Sequence, residues 1–529
     1  MTAVDAYSVA GKLAAPEAKV DAMVVGAGPA GTAAASELAK AGLSVMLVDE
    51  NPLDAGMFGL DVPLFFGGRA GTSVQNKNRM VEQIVMSEPG IETAMDAGAE
   101  VALGTSCWGV FLPGPAAREL PGPMAGLSDG TRVWTVGFDR LILATGARDL
   151  VFFFDGADQP GVMGAAAFHS LATRYDAFDG QRLVIFGSGD LALGTAELAL
   201  AQGLEVAALI EVDAAPRGDA ARIAALAEQG VAIHCGHAIT SAMRGPAGVT
   251  GVEIAPIGGG AARTIACDTV CLAIGRVPVV ELFDAAGVPL AADGERGGFV
   301  PVSADGVSTA SPLVFGAGDC MMAADRLTDR AEAEAHGRYA ARAVLASLGR
   351  ADAPDSTAAH PRGGDQLAYR RRVMEALLAT GGQEALACQC EEVSRADLFG
   401  VLPPRYLGSP SETSRCRDLA TLAADGPLDH DQMKRLTRVS MGACQGRRCR
   451  EQVALLMAVG GGVPVEAIPL AGYRAPVRPL PLAVLASMEE TGPMTALWSI
   501  WFAIPSQWIP YDLIGTEGEH TFIDDHTHL

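Results

Sequence analysis

The stretch Val20–Gly31, VDAMVVGAGPAG, constrains the fold more than any other part of the chain. A short apolar run leads straight into Gly26, Gly28 and Gly31, the spacing of a strand–turn–helix that cradles a pyrophosphate. Gly26 permits the tight turn, Gly28 lets the backbone approach the phosphates, and Gly31 lets the helix pack on the sheet. Pro29 and Ala30 complete the cradle. The phosphates would sit at a helix N-terminus, where free N–H groups and the macrodipole favour negative charge. A helix over Thr32–Ala41 and a second apolar strand, Leu43–Val48, follow. That strand ends on Asp49 and Glu50, about 20 residues on, where a carboxylate takes ribose hydroxyls.

Two further signals extend the first. Arg132–Val136 and Arg140–Leu143 read as strands, separated from the preceding strand by a loop at Pro113–Gly126; the second runs into Ala144, Thr145 and Gly146. Much later, Leu313–Gly316 reads as a strand that closes on Gly318 and Asp319. An Asp at such a strand end can bond the ribityl hydroxyls of a flavin, while the next helix, Glu332–Ala346, points its N-terminus at the phosphates. The three signals together predict an adenine dinucleotide, FAD, at this site.

Between them lies a second strand–turn–helix, Leu183–Phe186 followed by Gly187 and Gly189. Its third glycine, Gly194, arrives two residues late, and Asp190 stands where the turn would meet phosphate. A carboxylate there repels a pyrophosphate, so the sequence predicts a retained fold with an altered or empty site.

Beyond a linker rich in Ala, Pro, Asp and Gly the chemistry changes. Cys388 and Cys390 are followed, far downstream, by Cys444 and Cys449. Two close thiol pairs flanking a small helical unit can supply four thiolates to one metal centre. Zinc accepts four thiolates as well as an iron–sulfur cluster does, but its usual pairs are separated by two residues. Arg415, Arg417, Lys434, Arg435, Arg438, Arg447, Arg448 and Arg450 surround these cysteines. Guanidinium groups and N–H donors stabilise an anionic [2Fe–2S] centre and raise its potential. Cys416 reads as a buried thiol outside the ligand set. Cys267 and Cys271 fall in one strand, too far apart to bridge.

The 529 residues exceed one core. The expected division is a first part of the FAD-binding domain at 1–175, a second Rossmann-like domain at 176–290, and a return to the first at 291–350. A linker at 351–375, a metal-binding unit at 376–465 and an extended tail at 466–529 complete it. The formal charge of −23 lacks the basic footprint that nucleic acid requires. The opening residues carry no basic segment followed by an apolar core, and no apolar run reaches membrane-spanning length. A cytoplasmic protein is therefore expected, and its ten cysteines read as ligands and buried thiols rather than disulfides. Trp498, Trp501, Phe502, Trp508 and Tyr511, set among prolines, read as a segment that packs on a partner or on the chain's own core.

The motifs GAGPAG, LILATGAR, PGVM, FGAGDC, CQCEEV, KRLTRVSMGACQGRRC and RAPVRPLPLAVLA, spread over the chain to about residue 486, carry a family resemblance. The chain resembles the α (A-type) subunits of heteromeric flavin-dependent amino-acid and amine dehydrogenases. That group takes in opine oxidases, dye-linked L-proline dehydrogenases, the B-type subunit of hydrogen cyanide synthase and the α subunit of sarcosine oxidase. The resemblance implies an α/β, two-dinucleotide-binding flavoprotein fold of the pyridine-nucleotide-disulfide oxidoreductase class, with a small helical [2Fe–2S] domain and an extended tail. It implies that Cys388, Cys390, Cys444 and Cys449 hold the cluster, and that a β subunit with its own FAD oxidises a C–N bond. It also leaves room for FMN at the subunit interface and for a small third subunit. No catalytic residue is assigned to this chain. The segment Pro52–Gly68 and the interval Pro403–Arg417 depart from the family pattern. Two other functions remain open at this stage: a self-contained NAD(P)H-dependent reductase, and a scaffold whose nucleotide is never reduced.

Overall fold

The computed structural model describes residues 13–52, 77–114, 120–323, 325–352, 364–403 and 417–488, together with 490–492, 495 and 516–518. The divergent segment after Pro52, Arg415, Cys416 and the aromatic tail all lie outside the described residues.

The opening run forms the strand Ala18–Val25, which pairs in parallel with Val45–Asp49 on one side and Val133–Leu143 on the other. Ala22, Met23 and Val24 are fully buried, as a central parallel strand covered on both faces requires. The complete sheet has seven strands, in the order Glu100–Leu103, Val45–Asp49, Ala18–Val25, Val133–Leu143, Met124–Ser128, Ser106–Phe111; Val314–Gly316 adds beside Val133–Leu143. Two sequence expectations give way here. The separate strands at Arg132–Val136 and Arg140–Leu143 are one continuous strand. The loop expected at Pro113–Gly126 ends early, because Met124–Ser128 joins the sheet. Gly126 leaves room for the Trp108 ring to lie across it, and Trp108 Nε1 donates to Leu127 O at 3.0 Å.

The helix Pro29–Lys40 leaves the glycine turn and packs against Arg330–Ser347. Their axes approach where the Gly337 Cα faces the Ala30 carbonyl, a contact no Cβ could enter. A second sheet is wholly parallel, in the order Ala232–His234, Glu205–Ile210, Arg182–Phe186, Thr269–Leu272, Val162–Gly164. An antiparallel meander, His237–Gly245, Gly248–Pro256 and Arg263–Ala266, flanks it.

The chain then builds a helical unit from Gln366–Ala379, Arg395–Phe399, Leu419–Asp425, His430–Thr437 and Arg450–Gly460. One apolar core runs from Val184 and Phe186 of the second sheet through Phe152 into Met433, Val453 and Leu456 of this unit. Polar links cross the same seam. Gln452 accepts from Phe153 N at 2.8 Å and donates to Ala387 O at 3.0 Å, and the buried Arg395 donates to Phe153 O. Beyond the helical unit the chain returns to the first sheet: Tyr473 N donates to Asp284 at 2.6 Å and Val477 N to Trp108 O at 2.8 Å.

Candidate functional site

The first glycine turn separates its three glycines by role. Gly26 has φ +108, and a Cβ there would strike the Ala144 carbonyl. Gly31 faces the Gly26 carbonyl just as closely. Both are required by the protein's own packing. At Gly28 a Cβ would meet nothing among the described residues within 4 Å: they leave this direction open, on the side where the N-terminus of Pro29–Lys40 presents its free N–H groups. The cradle fits a pyrophosphate.

The two carboxylates after the second strand also divide their work. Asp49 accepts Ala27 N–H at 2.6 Å, and the backbone and side-chain N–H groups of Asn51 at 2.8 and 3.0 Å, so it shapes the glycine turn. Glu50 pairs with Arg478 at 2.7 Å, which brings the returning C-terminal stretch to the rim of the cradle. Arg478 carried no assignment from the sequence; its motif, RAPVRPLPLAVLA, was visible, but its partner was not.

Thr145 donates to Val279 O at 2.8 Å, tying the strand end to the returning chain, and Gly146 adopts φ +73 with open space beside it. Gly318, at φ +76, donates its N–H to His336 Nδ1 at 2.8 Å. His336 therefore holds the Gly–Asp turn, a role no sequence motif announced. Asp319 is engaged on both oxygens, by Arg276 and by Thr328, so a ribityl hydroxyl placed there would share this carboxylate with an existing ion pair. The helix after it begins at Arg330, and Asp329 caps its first N–H groups at 2.8 and 3.4 Å. Asp149 lies nearby, half-buried; desolvation pushes it up to about 6 while Ala166 and Ala167 N–H groups bond to it.

The second turn repeats the geometry with one change. Gly187 has φ +120 and abuts the Ala273 carbonyl, as Gly26 abuts Ala144. Gly189, the counterpart of Gly28, faces Asp325: a Cβ there would come within 2.7 Å of its carboxylate. Leu191 N donates to Asp325 O at 3.0 Å. Arg217 holds Asp325 at 3.4 Å and stacks 3.5 Å over the Tyr369 ring. Glu211, at the end of the neighbouring strand, is buried and accepts from Ser188 Oγ at 2.5 Å, Tyr369 OH at 3.2 Å and Asp213 N at 2.9 Å. The sequence placed Asp190 at the phosphate contact. In the structure Asp190 points outward to Arg222, at 3.1 Å, and the acid at the turn is Asp325, from a loop that no local pattern connects to it.

The four cysteines of the C-terminal unit converge. As free thiols, Cys388 interacts with Cys449 and Cys390 with Cys444. Cys388, Cys444 and Cys449 are buried, and Cys390 is exposed. Backbone N–H groups of Ser440 and Glu391 point at Cys388, and those of Gly446 and Arg448 at Cys444. Left-handed backbone at Ser440, Gln445 and Gly446 (φ 66, 51 and 76) turns the chain to aim them. The Cys390 thiol pulls Cys444 down to about 6. Among the described residues no three such side chains form a group ready to hold a metal ion; the thiols interact as two pairs. Their chemistry, four thiols under converging N–H donors, fits an anionic thiolate centre. Of the surrounding cations, Arg447 and Arg450 are buried, Arg438 pairs with Glu391 at 2.9 Å and Arg448 reaches Gln389 at 3.2 Å. Cys107, Cys267, Cys271 and Cys320 are buried free thiols apart from this group.

The sequence profile of the pyridine nucleotide-disulphide oxidoreductases matches residues 20–337, from the first glycine turn past the Gly318–Asp319 strand end. The chain belongs to this family. It is a flavin-dependent oxidoreductase. The A-type subunit of opine oxidase from Agrobacterium tumefaciens (strain Ach5) is 26% identical over 502 residues, spanning 89% of this chain and 92% of that one. The alpha subunit of sarcosine oxidase from Rhizobium meliloti (strain 1021) is 29% identical over 265 residues, 50% of this chain but only 25% of that protein. The crystal structure of L-proline dehydrogenase from P. horikoshii has the same fold, with a TM-score of 0.59 at 20% identity over 88% of this chain and 79% of that one. The α/β flavoprotein architecture expected from the glycine turns is thus the one observed. No helix among the described residues is long and apolar enough to cross a membrane.

Proposed function

We propose that this oxidoreductase is the nucleotide-binding, electron-transfer α subunit of a multi-subunit flavin-dependent dehydrogenase or oxidase. Its complex oxidises a C–N bond of an amino acid, an opine or another secondary amine. The observation that carries the reading is the convergence of Cys388, Cys390, Cys444 and Cys449 beneath backbone donors, in a unit whose core is continuous with the nucleotide-binding fold. The names of its relatives, subunits of opine oxidases and sarcosine oxidases, support it.

In this reading FAD lies at the Gly26–Gly31 cradle and the four cysteines ligate a [2Fe–2S] cluster. A FAD-containing β subunit meets the substrate, with FMN at the interface in the manner of some relatives, and a small third subunit completes the assembly. Bound flavin supplies two-electron chemistry and the cluster one-electron transfer. The chain's own residues hold the phosphates (Gly28 and the following N–H groups), seat the sulfurs and exclude water from three of them. The division at 1–175, 176–290, 291–350, 376–465 and the tail, and a cytoplasmic location, belong to the same proposal.

A self-contained NAD(P)H-dependent reductase needs an open second glycine turn. Asp325 facing Gly189, with Arg217 and Tyr369 closing over it, counts against that. Anaerobic titration of the complex purified from its host, with iron, sulfide and flavin assayed on the same sample, tests the proposal. Bleaching by an amine substrate only when the partner is present is expected. Bleaching of the isolated chain by NADH alone, or stoichiometric zinc in place of iron and sulfide, overturns it.

A further inference from the structure

Ser440 occupies a backbone conformation that a non-glycine residue adopts at a cost, φ 66. The conformation lets one residue address two sulfurs. Its backbone N–H faces Cys388, and its Oγ lies 3.2 Å from Cys449 Sγ. On its far side Oγ stands 3.1 Å from His430 Nε2. Ser440, Cys449 and His430 are all buried, His430 completely.

The direction of this chain of bonds follows from what is left over. A serine hydroxyl has one proton to give. His430 Nδ1 is buried without a hydrogen-bond partner among the described residues. Were the ring proton on Nδ1, a buried N–H donor would be orphaned, and the Ser440 proton would be drawn to Nε2, away from sulfur. Orphaned buried N–H groups are rarer than unpaired acceptors. The proton therefore sits on Nε2, which donates to Ser440 Oγ, and Oγ–H is left to donate to Cys449 Sγ. Burial next to Arg450 and Lys434 keeps the ring neutral, with a single N–H.

We infer that His430 and Ser440 are positioning residues that aim a hydroxyl proton at Cys449 Sγ and so set the reduction potential of the centre these cysteines hold. The inference rests on the cluster reading above. Hydrogen bonds to a ligating sulfur withdraw charge from it and favour the reduced, more negative state, raising the potential. The Ser440 hydroxyl is specific in this respect because Ser440→Ala deletes it and leaves the backbone N–H to Cys388 in place.

The test is an EPR-monitored redox titration of the whole complex, with iron and sulfide measured on each variant. Ser440→Ala is expected to keep full iron and sulfide while its midpoint falls by the equivalent of about tenfold in the oxidised-to-reduced equilibrium, ~59 mV for a one-electron couple. His430→Phe should lower the midpoint in the same direction, and His430→Gln, which keeps an N–H at the Nε2 end, should restore it. The double variant Ser440→Ala with His430→Phe should fall no further than Ser440→Ala alone, because the histidine acts through the hydroxyl. Full cluster content with an unchanged midpoint in Ser440→Ala, or additive shifts in the double variant, overturns the inference while leaving the cluster reading intact. A parent complex without iron and sulfide overturns both.

Discussion

Replacing Gly28 by valine separates nucleotide binding from folding in a way the other glycines of the same turn do not allow. The Gly28 backbone has φ −77 and ψ −179, which any residue adopts, and a Cβ there meets no atom of the described residues within 4 Å. The expected structural penalty is that of a poorer helix N-cap, about 1 kcal/mol, which moves the melting temperature of a chain this long by only a few degrees. The branched side chain would project into the space that the proposed pyrophosphate site occupies. Two charge-assisted N–H bonds to a pyrophosphate, at about 1.5 kcal/mol each, amount to about 3 kcal/mol, more than a hundredfold in affinity. Gly31→Val is the contrast: its Cβ is driven into the Gly26 carbonyl, so it should fail through misfolding or aggregation. The assay is release of adenine nucleotide and flavin from purified protein by denaturation, quantified by chromatography, beside a thermal melt. Gly28→Val should melt near the apo parent and release almost no nucleotide. If it retains a full complement, the cradle does not hold the phosphates; if it melts as badly as Gly31→Val, the open space beside Gly28 is not what the geometry says.

The closed second turn predicts no saturable NADH binding below the millimolar range, measured by quenching of NADH fluorescence; tight, saturable binding would show that Asp325 and Arg217 yield to a nucleotide. Burial pushes His169 down from 6.5 to about 4 and His430 down to about 3. Folded-state values below the unfolded ones mean that the unfolded chain binds the extra proton, so the stability these residues contribute is present above pH 6.5 and is lost as pH falls toward 4. His169→Gln should therefore lose less stability than the parent between pH 6.5 and 5 in urea titrations, and coincident slopes would contradict the burial of this ring. Deleting the residues after Met488 should release the partner subunits and spare the flavin and iron–sulfur spectra. Full co-purification of the truncated chain would mean that the aromatic segment serves only its own chain.

What the amino-acid sequence determined alone is what short-range sterics decide. A buried apolar strand, a turn that only Gly26 can make and a helix that only Gly31 lets approach are consequences of neighbouring residues, and the structure has them where the pattern put them. The same holds for the second strand–turn–helix. The sequence was silent where a side chain's partner lies elsewhere along the chain. Asp325 meets Arg217 across 108 residues and Tyr369 meets Glu211 across 158, and those contacts, not Asp190, close the second turn. Glu50 finds Arg478, Gly318 finds His336, and the cysteines pair across the chain, Cys388 with Cys449 and Cys390 with Cys444. Periodicity reports which face of an element is buried, but two turns of nearly equal spacing become one open cradle and one closed turn only when the packed chain delivers a carboxylate to the second and its described residues leave the space beside Gly28 clear.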